Sequence, residues 1–372
     1  MKIALDATAL PNKPGGAGNY IIHLARALLE LDSRHELFIL CHASDRLLFK
    51  LDPQRETRLF CVPDLNRGLR LVWEQIGLPR LLADLHIDLL HSPHYTMPLW
   101  AGIPVVVTFH DMTFFLYPQY HTLLKRYFFP LMIRQSAARA AGLLAVSEST
   151  RQDAIRLLQI SPEKINTTRL GVDPQYVRIE DAAHLEQIRR KYQLPAHFLL
   201  HVGTLEPRKN HAILLKAFDI IAHSDPEIAL VLVGEDGWNA RLIAQQIKGL
   251  QHSSRIHRLG YVARDDMPTL YSLAEVFVYP SFYEGYGLPV LEAMACGAPT
   301  ITSTVSSMPE IIGDAGLLVS PYHPTELSAA IAGLLSNKPS AAEWSRKAQI
   351  RAREFSWRKT AEQTLKIYER IP

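Results

Sequence analysis

Val276-Phe277-Val278-Tyr279-Pro280-Ser281-Phe282-Tyr283-Glu284-Gly285-Tyr286-Gly287-Leu288-Pro289-Val290-Leu291-Glu292-Ala293-Met294 is one whole structural unit. Val276–Tyr279 is a continuous apolar run, the mark of a strand covered on both faces of a parallel sheet. Pro289 suits a first helical turn, and the pattern through Ala295 predicts a helix over Pro289–Ala295. Between them, Gly285 and Gly287 free the backbone through Tyr286 and Leu288 to meet a phosphate at the helix N-terminus.

The same strand–loop–helix unit recurs outward in both directions. Strand-like runs precede it at Phe198–Val202, Ala229–Val233 and Ile256–Leu259, and follow it at Pro299–Thr302 and Leu317–Val319. A first series runs through Ile3–Ala7, Leu37–Cys41, Leu59–Val62, Asp88–His91, Val105–Phe109, Leu143–Val146 and Ile165–Thr168. Amphipathic stretches such as Asn19–Leu31, Leu123–Ala141, Ala212–Ala222 and Thr325–Ser336 separate the runs. Two such series predict an α/β protein of two doubly wound, Rossmann-like domains, 1–173 and 192–355, divided in the polar stretch from Asp173 to Lys191. Ligands of such sheets bind beyond the carboxyl ends of the strands, so a cleft between facing domains is the expected site.

Composition narrows the function. The 372 residues are 48% hydrophobic and 21% charged, ordinary for a globular protein of about two domains. The net charge of +3 arises within residues 1–180, with 20 basic against 17 acidic residues; beyond them the counts balance at 20 and 20. That excludes a general nucleic-acid binder. Cys41, Cys61 and Cys296 show neither zinc spacing nor an even count, which fits a reducing cytosol. The start, Met1-Lys2-Ile3-Ala4-Leu5-Asp6, reads as a strand rather than a signal peptide.

Four places carry candidate chemistry. Gly15-Gly16-Ala17-Gly18 opens a helix where Gly16 would admit an anion, although Ile21 stands where a dinucleotide fingerprint needs its third glycine. His110 ends the run Val105–Phe109 and should face a ligand, unless it is merely bonded within its loop. His91 and His94 lack a third metal ligand at a recognisable spacing. Gly203-Thr204-Leu205-Glu206-Pro207-Arg208-Lys209-Asn210 puts two cations after a strand, as a diphosphate clamp or as a solvated pair. Glu284 and Glu292 are too far apart for a glycosidase pair if the span is helical, at ~12 Å. They suit two hydroxyl-rich groups of one long ligand.

Taken together, these elements resemble retaining glycosyltransferases of family 4, which have the GT-B fold. Glu284-(x)7-Glu292 within Phe282–Met294 is the most specific motif, and the Leu170-Gly171-Val172-Asp173 linker adds to it. Many members carry Arg directly after the glycine of the diphosphate loop; here that position is Thr204, and Arg208 beside Lys209 supplies the charge. Thr204–Asn210 and Thr108–Tyr117 look most like bacterial mannosyltransferases of polysaccharide assembly. The resemblance implies a nucleotide-sugar donor, GDP-mannose before a UDP-sugar, no cofactor, and a saccharide or lipid-linked acceptor. It implies catalytic roles for His110, Glu284, Lys209 and Arg208, with Arg208 and Lys209 on the diphosphate. It places Glu292 on the ribose, Val262 near the base, and Gly16, Gly203, Gly285, Tyr286, Gly287 and Leu288 along the donor. A final helix, about 357–372, would return to the first domain. No Asp-x-Asp occurs, which predicts transfer without a metal.

Rival readings are a nucleotide-sugar 2-epimerase of similar fold and a catalytically silent sugar-binding subunit. Tyr117–Arg139 mixes Tyr120, Leu123, Leu124, Tyr127, Phe128, Phe129 and Leu131 with Lys125, Arg126, Arg134 and Arg139. That is the composition of a segment touching the inner face of a membrane, or of a core helix with a basic edge. Pro130 is expected to interrupt its helix.

Overall fold

Continuous runs of Val, Ile and Leu have no polar face to turn to water, and in the computed structural model they all become parallel strands. The structure describes residues 1–10, 15–31, 34–237 and 240–371. The chain forms two compact units: one of Met1–Gly171 with Ser356–Pro372, the other of Val172–Phe355.

In the first unit the described strands are β1 (Lys2–Asp6), β2 (Glu36–His42), β3 (Leu59–Val62), β4 (Leu89–Ser92), β5 (Val105–Phe109), β6 (Gly142–Ala145) and β7 (Ile165–Thr167). Their order is β3-β2-β1-β4-β5-β6-β7, so the winding reverses between β1 and β4. Ligands of doubly wound sheets bind at that switch point. The helix Gly16–Glu30 follows β1, and the final helix, Trp357–Tyr368, packs against it. His23 stacks on Trp357, with ring centroids 5.0 Å apart. Buried His91 lies 2.6 Å from the Tyr368 hydroxyl and 2.7 Å from Thr108 Oγ1, so both its ring nitrogens are engaged within the unit.

The second unit contains β8 (His197–Val202), β9 (Ile228–Val233), β10 (Ile256–Gly260), β11 (Val276–Tyr279), β12 (Thr300–Ser303) and β13 (Leu317–Val319), in the order β10-β9-β8-β11-β12-β13. Here the switch lies between β8 and β11. Its core is largely aliphatic around one aromatic ring: Leu199, Leu214, Phe218, Leu230, Val278 and Ile331 are fully covered. The polar stretch 174–191 carries a helix, Ala182–Lys191, that belongs to this unit.

The sequence expectation fails at one helix. Leu123–Arg139 runs unbroken through Pro130. Proline inside a helix costs about 3 kcal/mol or more, and local packing offsets it: Phe129 stacks on Phe114 at 4.3 Å and Ile133 is fully buried. Phe129 therefore belongs to the core. Two further helices, Arg67–Asp84 and Glu148–Leu158, were not anticipated. No helix among the described residues is long and apolar enough to cross a membrane.

Candidate active site

The second unit's site is assembled at the carboxyl ends of β8 and β11. After β8, the chain turns through Gly203 into a short 3-10 turn, Pro207–Lys209, and Asn210 leaves it in the left-handed conformation at φ 59°. The Asn210 amide donates to the carbonyls of Pro280 (2.9 Å) and Pro321 (2.8 Å), tying this loop to the one after β11. The Phe282 N–H donates to the Arg208 carbonyl at 3.0 Å, a second tie.

Three of the expected residues meet there. Arg208 Nη1 donates to Glu284 Oε2 at 2.6 Å, and Lys209 Nζ donates to Glu284 Oε1 at 2.8 Å. Lys209 also donates to the Tyr279 hydroxyl at 2.5 Å, and that hydroxyl donates to Glu284 Oε1 at 3.2 Å. Burial would raise the Glu284 pKa, but the charges and hydrogen bonds of Arg208 and Lys209 hold it down to about 2. Burial pushes Lys209 below the usual lysine value, opposed chiefly by Glu284. Gly203 lines this cluster: a Cβ there would sit 3.5 Å from Lys209 Cδ and 3.7 Å from His201 Nε2.

Glu284 lies in the loop rather than on the helix, which runs from Leu288 to Ala295. The helical separation from Glu292 considered from sequence therefore does not apply. Ser306 and Ser307 fix the loop: Ser306 Oγ accepts from the Glu284 N–H at 3.0 Å, and Ser307 Oγ donates to the Glu284 and Tyr286 carbonyls. Gly287 is the N-cap, at φ 120°, where any Cβ would also overlap the Met308 methyl. Only glycine meets both demands. With Gly285, Tyr286 and Leu288, it forms the backbone that leads into the helix N-terminus.

Glu292, one turn into that helix, belongs to a different cluster. It accepts from the Tyr271 hydroxyl at 2.9 Å, with Tyr176 and Arg264 beside it. Burial pushes its carboxyl up to about 7 against these partners. Val262 is buried just beyond β10, after Gly260 at φ 67° and exposed Tyr261.

The remaining candidates lie in the first unit. Gly16 opens its helix, and among the described residues nothing lies within 4 Å of a Cβ added at Gly15 or Gly16. Packing among the described residues therefore does not demand glycine there. His110 follows β5, and its Nε2–H donates to the Pro93 carbonyl at 2.7 Å. That bond leaves the neutral ring's lone pair on Nδ1. Burial lowers the His110 pKa, so the neutral form prevails. Its ring meets Tyr20 edge-on at 5.1 Å and His94 at 5.6 Å.

Tyr279, Asn210, Ser306, Ser307 and Tyr271 were not found from sequence. Ser306, at φ 54°, and Asn210 hold left-handed conformations that leave little trace in composition.

Comparison with known proteins identifies the family and the fold. Residues 14–176 match the model described as Glycosyltransferase Family 4, and residues 186–351 the model described as Glycosyl transferases group 1. The chain is 35% identical over 290 residues to an O-antigen chain mannosyltransferase B of Escherichia coli, covering 77% of this chain and 76% of that one. It is 27% identical to an MMP alpha-(1->4)-mannosyltransferase of Mycolicibacterium hassiacum, over 100% of this chain and 98% of the relative. The structure of Anabaena Alr3699/HepE with UDP and glucose superposes with a TM-score of 0.78 at 20% identity, covering 100% of both chains.

Proposed function

The chain belongs to glycosyltransferase family 4, retaining hexosyltransferases of GT-B fold that use nucleotide-sugar donors, and we propose that it transfers mannose from GDP-mannose to a saccharide or lipid-linked saccharide. The observation that carries the reading is the Arg208–Lys209–Glu284 cluster beside the Gly287 helix start. Two relatives named as mannosyltransferases favour mannose.

Arg208 and Lys209 bind the donor diphosphate and, with the amides from Gly285 to Leu288, stabilise the charge that grows on it as the glycosidic bond breaks. Such preorganised charge is the main source of rate in a water-poor site. Glu284 orients the two cations and accepts from hydroxyls of the donor sugar. Glu292 accepts from ribose hydroxyls, Val262 borders the base, and Gly203 lets the diphosphate approach the backbone. His110 and Gly16 act on the sugar and diphosphate. The acceptor attacks from the leaving-group face, and the departing phosphate takes its proton. The reaction needs no metal, because Arg208 and Lys209 supply the positive charge.

A thermal-shift screen of GDP, UDP, GDP-mannose and UDP-glucose tests the donor assignment. A ligand at 100 times its Kd stabilises by ~2.7 kcal/mol, so GDP and GDP-mannose should raise Tm clearly above the UDP compounds. The reverse order would refute the assignment. Conversion of donor with no acceptor present would indicate epimerisation instead.

A further inference from the structure

Among the described residues of the first unit, most of the large apolar side chains left in water lie on two helices and on the segment between β4 and β5. On the helix Leu123–Arg139, Leu123, Leu124, Tyr127 and Leu131 are exposed, with Leu124 at 79% and Tyr127 at 71%. Their spacing of three and four residues makes one stripe, while Ile133 and Ala137 of the same helix are buried. The helix Arg67–Asp84 repeats the arrangement: Leu69, Val72 and Ile76 are exposed, and Leu78 and Leu82 join the same buried cluster as Ile133 and Ala137. The two helices thus cover the same core.

The segment between β4 and β5 is tied to both helices. Gln75, on the first, bonds the Met97 carbonyl and the Leu99 N–H, each at 3.0 Å. Arg139, on the second, donates to the Leu99 carbonyl at 3.2 Å and lies over the ring of Trp100, which is 73% exposed. An open recess of about 290 Å³ beside them is lined by Met97, Trp100, Ile103 and Arg139. Lys125, Arg126, Arg134, Arg139 and Arg80 accompany the apolar groups, and no Asp or Glu occurs between Asp111 and Glu148.

We propose that these two helices and Trp100 form one face that docks on an anionic lipid bilayer. Apolar side chains enter the headgroup boundary while the cations meet lipid phosphates, and the pairing of both chemistries selects a bilayer over a protein surface. The face stands on its own; its use, to meet a lipid-linked acceptor, rests on the function proposed above.

Flotation of the full chain with vesicles of phosphatidylethanolamine and phosphatidylglycerol tests it, against phosphatidylcholine alone and at high salt. Wild type should float with the anionic vesicles and lose most binding in high salt, because such attraction is screened. Lys125→Glu/Arg126→Glu should weaken partitioning at least about ten-fold, and so should Leu124→Glu/Tyr127→Glu. Val72→Glu/Ile76→Glu, on the other helix, should do the same, while Ile350→Glu in the second unit should not. No flotation of wild type, or equal flotation of the face variants, overturns the proposal. So does a wild-type dimer in light scattering that those variants convert to monomer without any vesicle binding. Transfer to a soluble acceptor by the same variants stays at the wild-type level, so this proposal fails separately from the enzymatic one.

Discussion

Burial works against the charge on Lys209, and Glu284 works for it. Removing either partner leaves a charged group poorly solvated. Hydrogen bonds to charged groups are worth about 1.5–3 kcal/mol, so Lys209→Ala should weaken GDP binding roughly ten- to hundred-fold by calorimetry. His110→Ala should chiefly lower kcat, because the role proposed for His110 is on the sugar rather than on the nucleotide. Chelator should leave transfer intact; full loss restored by magnesium or manganese would contradict the clamp. Glu292 makes a pH-dependent prediction. With its carboxyl near 7, the ionised acceptor forms as pH rises through that value, so GDP-mannose affinity should increase between about pH 6 and pH 8. Stability runs the other way. The folded carboxyl keeps its proton to a higher pH than the unfolded one, near 4.3, so Tm should fall as pH rises between those values. Glu292→Gln should flatten both profiles.

At the scale of elements, the loop between β11 and the helix Leu288–Ala295 has the least freedom to change. Gly287→Ala places a side chain at φ 120° and into Met308. The conformation alone costs roughly 1–3 kcal/mol, so Tm should drop by several degrees. Donor binding should fall further than stability does, since the amides lose their alignment. Unchanged binding in a folded Gly287→Ala variant would show that the backbone from Gly285 to Leu288 does not hold the diphosphate. This element was legible from sequence because Val276–Tyr279 has no polar position and Pro289 marks the helix start. The helix Arg67–Asp84 was not, because Gly77 and Pro79 are breaker signals, and because the aliphatic residues Leu69, Val72 and Ile76 lie on its outer side. Pro130 misled in the same way: local propensity yielded to the packing of Phe129 and Ile133.

Across the whole molecule, two parallel sheets were readable as alternating apolar runs, since buried parallel strands carry that pattern at every residue. The pairing inside the site was not readable. Glu284 lies 75 residues from Lys209, and nothing local says that it is bound to both cations. Tyr279 reads as one more core residue of a strand, although its hydroxyl joins Lys209 to Glu284. The proposed retaining transfer of mannose from GDP-mannose is read out in the stereochemistry of the first product. GDP-mannose labelled with carbon-13 at the anomeric position is incubated with enzyme and a mannoside acceptor, and the new linkage is followed by NMR from the start of turnover. An α-linked mannoside should form in step with released GDP. A β-linked first product, or no transfer from GDP-mannose where a UDP-sugar reacts, would contradict the proposal.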